Sequence, residues 1–311
     1  MPHPPHALIQ SGAIRTSQAV GKALADGRPV VALESTIFSN LGLPAPANAQ
    51  ALRSCQEVLR AGGVEPAVTA VLDGIARVGL EPADEQRVLR ATRKLAERDL
   101  AVALAKRVDA GVTTVSATVA LAHAAGISVF ATGGIGGVHR GVESSWDISA
   151  DLDALAHHPV VTVCAGAKAF LDLPKTLEYL ETVGVPVLGW QHDWFPAFYV
   201  RSSGLPIPHR VETAREVADV LRRRIRRDTG VLLTVPIPEA DELDAGALQA
   251  KLEAALAAAD ANGVTGAAVT PFILGRIEQE TAGESIPANV ALAVNNAQLA
   301  ASVATELAAA A

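Results

Sequence analysis

The chain has 311 residues, half of them hydrophobic and only 4% aromatic, with a formal net charge of −7. That length suits one large α/β domain whose core is built from Ala, Val, Leu and Ile. An acidic chain lacks the basic footprint of a nucleic-acid binder, and no stretch of about twenty apolar residues runs without charges, Pro or Gly, as a membrane span would.

Residues 1–24 are expected to form a flexible N-terminal tail, opened by the Pro- and His-rich stretch Met1 to Ser11. That stretch has no apolar leader core. With only Cys55 and Cys164 in the chain, a reducing compartment, the cytoplasm, is the expectation. Residues 25–311 read as one domain. Pro29–Leu33 is a predicted strand, Ala47–Ala61 a helix stopped by Gly62-Gly63, and Ala67–Leu72 a strand ended by Asp73-Gly74. Helices are predicted over Pro82–Lys94 and Asp99–Ala110, a strand over Val112–Ser116, and a helix over Ala117–Ala125. Ile127–Thr132 is the next strand and runs into a glycine-rich turn. Val160–Ala165, Pro186–Gly189 and Val231–Val235 are further buried strands. The arginine run Arg222–Arg227 follows the helical stretch Glu212–Leu221, where positive charge complements the helix dipole. Ala291–Ala311 closes the chain as an Ala-rich helix. Short apolar runs alternating with helices predict a three-layer α/β/α domain around a largely parallel sheet.

Four segments carry residues suited to chemistry. Glu34 ends an apolar strand, where a carboxyl with a raised pKa can serve as general acid or simply form a cap or salt bridge. The run Thr132-Gly133-Gly134-Ile135-Gly136-Gly137-Val138-His139-Arg140 lets backbone approach a ligand closely; it suits an anion nest or a tight structural turn. Glu143, Asp147, Ser149 and Asp151 gather oxygen ligands of the kind a hard divalent cation takes, while Ser149 or Asp151 equally suits the N-cap of a helix. Lys168 closes the apolar strand ending Cys164-Ala165-Gly166-Ala167. A desolvated neutral amine there can attack a carbonyl carbon and form a Schiff base; the alternative is a solvated lysine or a partner for Asp172. Lys94 reads as solvated helix surface near other cations.

Read together, these segments resemble the pseudouridine-5′-phosphate glycosidase family, also called the indigoidine synthase A-like family. The matching stretches include Val30–Ile37, Gly111–Val115, Val129–Gly141, Asp147–Leu152, Val163–Lys168, Phe195–Tyr199, Pro236–Pro238 and Thr270–Phe272. The resemblance implies an α/β/α catalytic domain over 25–311, a homotrimer and a bound divalent ion, Mn²⁺. It implies a small-molecule substrate: reversible conversion of pseudouridine 5′-phosphate and water to ribose 5-phosphate and uracil. By motif position Glu34 matches the proton donor and Lys168 the nucleophile. Lys94, Val115, Ser149, Ala150 and Asp151 match substrate-contacting positions, Asp147 the metal ligand, and His139 and Asn289 further pocket residues. The chain departs from the pattern at Asn40-Leu41, where the family has a histidine, at Val235 for an asparagine, and at Ala267 for a lysine. Some relatives attach ribose 5-phosphate to a different aromatic acceptor, which gives a C-glycosynthase as the alternative enzyme. A non-catalytic phosphosugar or nucleotide binder on the same fold is the alternative outside enzymes.

Overall fold

A computed structural model describes residues 12–309 apart from Thr265, Ala282 and the side chain of Ala267. In chain order the elements are β1 (Ile14–Thr16), α1 (Gln18–Ala25), β2 (Val30–Leu33), α2 (Ala47–Ala61), β3 (Glu65–Leu72), β4 (Ile75–Val78), α3 (Pro82–Arg90), β5 (Lys94–Leu95) and α4 (Glu97–Ala105). Then come β6 (Ala110–Thr113), α5 (Val115–Ala124), β7 (Val129–Ala131), the single turn α6 (Val142–Ser145), α7 (Ala150–His157), β8 (Val161–Cys164), α8 (Leu173–Thr182) and β9 (Val187–Trp190). The chain ends with β10 (His209–Val211), α9 (Ala214–Arg223), β11 (Val231–Thr234), α10 (Ala245–Ala261), α11 (Val269–Glu280) and α12 (Ser285–Ala308).

The strands β3-β2-β7-β8-β11-β9-β10 run parallel in that order and form the body of the sheet. Every residue of β2, β8 and β11 is buried, so both faces are covered by helices, as a parallel sheet requires. α12 crosses β2, β7 and β8 on the way. The predicted fold class is therefore the observed one, with an addition. β3 is eight residues long, and its two halves pair differently. Glu65–Val68 pairs with β2, whereas Thr69–Leu72 runs antiparallel to β4 on one side and Ala70–Leu72 to β6 on the other. β5 then joins β6 in parallel.

Two expectations need correction. The tail does not extend to residue 24: β1 pairs with β4, and α1 is capped by Ser17, whose hydroxyl accepts from Val20 N at 3.3 Å. Ile14, Val20 and Ala23 are buried, and Val20 and Ala23 share one helical face three residues apart. Residues 1–11 lie outside the described residues. The helix predicted to end at Lys94 stops at Arg90, and Lys94 belongs to β5. The basic run, by contrast, sits at the C-terminus of α9 and serves helix ends. Arg222 donates to the carbonyls of Glu306 and Leu307 at the end of α12, Arg226 to that of Val183, and Arg227 to that of Arg222.

Candidate active site

The carboxyl ends of β2, β7 and β8 open onto one cavity of about 460 Å³, in the size range of small-molecule sites. Sites gather at this edge because loops leaving neighbouring parallel strands diverge there. All ten residues that the resemblance assigns to the site line this cavity: Glu34, Lys168, Lys94, Val115, His139, Asp147, Ser149, Ala150, Asp151 and Asn289. Glu143, the further oxygen ligand considered for a cation, lies outside it and pairs with Lys175 at 2.9 Å.

Glu34 follows the last residue of β2 and is buried, with 8% of its surface exposed. Its Oε1 accepts a short hydrogen bond from the hydroxyl of Thr132, the residue after β7. Burial pushes the Glu34 carboxyl up from 4.5 to about 7; the charge of Lys168 and the Thr132 hydroxyl pull against it, Asp151 adds to it, and Lys94 opposes it weakly. A carboxyl poised there keeps its proton in about half the molecules at neutral pH and gives it up readily, which suits a general acid.

Lys168 reaches the cavity because the chain turns sharply after β8. Gly166 has φ of +77°, and a Cβ there would strike the carbonyl of Pro196. Lys168 N then bonds Ile135 O, and its ammonium donates to Gly134 O at 3.0 Å. Asp172, the alternative partner weighed from sequence, instead caps α8 and pairs with Lys175 at 2.5 Å.

Lys94 enters from the antiparallel extension. β5 pairs with β6 so that Lys94 sits beside Val112, one strand end away from Val115 at the start of α5. Burial and the charge of Lys168 hold its amine below the ordinary lysine value, with Asp151 and Glu34 opposing. It is a cavity residue and not the solvated helix surface expected from sequence.

The glycine loop works differently from an anion nest. Gly136 N donates to Asp151 Oδ2 at 2.9 Å, Ile135 N to Gly166 O, Val138 N to Thr176 Oγ1 and His139 N to Asp147 O. Those N–H groups are occupied by the protein itself. A Cβ on Gly136 would run into Ser149 Oγ and Asp151 Oδ2, so this glycine is required for the close approach of loop and helix. Asp151 also accepts from Ser116 N at 2.9 Å, near the N-terminus of α5. Ser149 is the N-cap of α7, accepting from Asp151 N, and it faces the cavity as well. Of the glycine run's two basic residues, only His139 lines this cavity; Arg140 lines a neighbouring groove.

His139 Nδ1 stands 3.8 Å from Asp147 Oδ2 at the rim. Burial lowers the histidine's pKa, Asp147 raises it, and Lys168 and Lys94 push it down again. Among the described residues no group of three or more His, Cys, Asp or Glu side chains is placed to hold a metal. Asp147 thus offers one carboxylate, with His139 beside it. That set fits a hard cation which completes its shell with water and substrate phosphate, and it does not fit a metal caged by protein.

Sequence reasoning passed over three residues of this region. Thr132 holds Glu34. Asn296 of α12 is fully buried and donates to the carbonyls of Thr132 and Gly133, at 2.8 and 3.3 Å, which ties the glycine loop to the long helix. Phe198, at φ of +64°, lies against Gly134 and walls the cavity. The available signal was a buried-type Asn in an Ala- and Val-rich helix, where a polar side chain needs a partner.

Residues 19–306 match the family model described as indigoidine synthase A like protein. The chain belongs to this family. A pseudouridine-5′-phosphate glycosidase of Methylobacterium nodulans is 50% identical over 97% of this chain and 89% of its own length. One of Sorangium cellulosum is 50% identical over 94% and 92%. Among solved structures, the prealnumycin C-glycosynthase AlnA, in complex with ribulose 5-phosphate, superposes with a TM-score of 0.87 at 34% identity, covering 96% of this chain and 97% of its own. An indigoidine synthase A-like protein of Thermotoga maritima gives 0.85 at 31%, covering 95% and 96%.

Proposed function

We propose that this enzyme reversibly cleaves the C-glycosidic bond of pseudouridine 5′-phosphate, giving ribose 5-phosphate and uracil, with Lys168 as covalent nucleophile and Glu34 as proton donor. One observation carries the reading: a buried carboxyl whose pKa is about 7 shares a cavity with a strand-end lysine. Relatives 50% identical over nearly the whole chain bear the glycosidase name, while the C-glycosynthase is 34% identical, which favours the glycosidase over a synthase for another acceptor. A mere phosphosugar binder has no use for a carboxyl tuned to neutrality beside an amine.

The chemistry follows from the bond. A C-glycoside has no exocyclic glycosidic oxygen to protonate, so the two-carboxylate route of ordinary glycosidases is closed. Ribose has a ring oxygen instead. Glu34 gives its proton to O4′ as the Lys168 amine attacks C1′; the C1′–N bond forms and the C1′–O4′ bond breaks. The Glu34 carboxylate then takes the extra proton from the new secondary amine. Glu34 passes that proton on to base C5, the nitrogen lone pair moves toward C1′, and the C1′–C5 bond breaks with its electrons returning to uracil. This leaves Glu34 as the carboxylate that takes a proton from the water in the next step. Water adds to the resulting iminium and releases ribose 5-phosphate from Lys168. Covalent catalysis divides one hard step into easier ones.

Lys94 and His139 supply positive and hydrogen-bonding groups to the phosphate end. Asn289 is buried and lines the cavity, and its side-chain amide, whose Oδ1 has no hydrogen-bond partner in the protein, is the group assigned to the base. Asp147 would hold Mn²⁺, which when bound supplies positive charge to orient phosphate and water. A homotrimer in the cytoplasm completes the proposal. The test is product analysis: purified enzyme with Mn²⁺ and pseudouridine 5′-phosphate should yield uracil and ribose 5-phosphate, and the reverse mixture should yield the C-nucleotide. Turnover restricted to another acceptor would favour the synthase. Unchanged turnover after rigorous chelation would remove the metal from the scheme.

A further inference from the structure

A second, smaller cavity of about 120 Å³ adjoins the first. The two share Leu41, Gly42, Pro271, Leu274 and Asn289 as walls. The annex has its own lining of Asn40, Tyr199, Gly275, Glu278 and Ser285. Its volume is that of about four waters at ~30 Å³ each. Asn40 and Leu41 lie where the sequence departs from the family pattern.

Charge decides which end of the substrate faces the annex. The cations Lys94, Arg98 and Lys168, with His139, all line the main cavity beside the carboxyls of Glu34, Asp147 and Asp151, and no basic residue lines the annex. The annex's one carboxyl is Glu278, which repels phosphate. Substrate phosphate therefore lies toward the cations and the uncharged base toward Asn289 and the annex. Its surface mixes aliphatic Leu41 and Leu274 with amide and hydroxyl groups, which suits a small uncharged substituent and offers no counter-charge to an anionic one. Gly275, within α11, is what keeps it open. A Cβ at this residue would meet nothing within 4 Å, so no packing requirement explains a glycine in the middle of a helix, where it costs stability relative to other residues.

We propose that the annex receives a substituent on the base, so that the enzyme accepts pseudouridine 5′-phosphates carrying a methyl-sized uncharged group on a ring nitrogen. The inference rests on the glycosidase reading above and names a substrate class for it. The bonds made and broken are unchanged; the product base is the corresponding N-methyluracil.

The experiment compares pseudouridine 5′-phosphate with its N1-methyl and N3-methyl derivatives, in the wild type and in Gly275→Leu. At least one methylated substrate should be cleaved by the wild type with kcat/KM within about tenfold of the parent compound. Gly275→Leu should lower kcat/KM for that substrate by about tenfold or more, the usual effect of one methylene in a filled pocket, and leave the parent compound within about twofold. Gly275→Ala, which adds one carbon, should fall between them. Cleavage of the parent compound alone would overturn the annex proposal and leave the glycosidase reading standing. An equal loss on both substrates in Gly275→Leu would also overturn it. Failure to cleave even the parent compound would overturn both.

Discussion

Glu34 and Asp151 are two carboxyls on one cavity, and their surroundings are opposite. Asp151 sits where two backbone amides converge, those of Ser116 and Gly136, each at 2.9 Å. Glu34 is buried just as fully but has one hydroxyl, that of Thr132, for company. Fixed amide dipoles satisfy a carboxylate's lone pairs without supplying a proton, so Asp151 fastens the glycine loop to α5. Burial raises the cost of ionising Glu34 by more than the Lys168 charge and the Thr132 hydroxyl recover, and its carboxyl is left near neutrality, about 7. The same residue class thus builds the site in one place and equips it for proton transfer in the other.

Substitutions can break that contrast. Glu34→Gln keeps the shape and removes the transferable proton, so turnover should fall about a hundredfold or more with substrate affinity little changed. Steady-state kinetics checks this; a variant within a few-fold of wild type would make Glu34 structural. The same variant should be more stable at high pH. The folded-state pKa of Glu34, about 7, lies above its ordinary 4.5, so the folded protein holds a proton the unfolded chain has lost. This contribution is fully present below pH 4.5 and is lost as pH rises through 7. The shift corresponds to roughly 3 kcal/mol. The Tm of Glu34→Gln should therefore draw ahead of wild type across that interval and then keep a constant lead. A lead independent of pH would contradict the assignment.

Asp151→Asn should act on stability in the other direction. The NH2 of the new side chain must face a backbone N–H, donor against donor, and the cost is about 1–3 kcal/mol. Thermal denaturation should show the drop at neutral pH, with a rise in KM as the loop loosens. Thr132→Val is the finest probe. It removes the hydroxyl that holds the Glu34 pKa down, so the alkaline limb of the kcat/KM profile should move to higher pH by less than about one unit. Thr132→Ser should restore the limb.

Legibility in the sequence divides along the sheet. Strands of the parallel body, such as β2, β8 and β11, are apolar at nearly every position and bounded by turn residues, so their carboxyl ends, and with them Glu34 and Lys168, could be read. The antiparallel extension could not. β4 is half-exposed and only four residues long, β5 has two, and no Gly or Pro marks the stop of α3 at Arg90. Lys94 leaves its expected helix because pairing with β6 outweighs local propensity, which is a tertiary effect. The glycine run announced close backbone approach correctly but not to what: at Gly136 the visitors are Ser149 and Asp151, residues of the chain itself.

The central claim is covalent, and trapping tests it most directly. Wild-type enzyme incubated with ribose 5-phosphate and sodium borohydride should gain the mass of one reduced sugar phosphate. Peptide mapping should place it on Lys168. Lys168→Ala should abolish both adduct and cleavage, while Lys94→Ala should weaken binding and still permit some adduct. A label on Lys94 would reverse the roles of the two lysines, and the absence of any labelled lysine under turnover conditions would contradict the Schiff-base account.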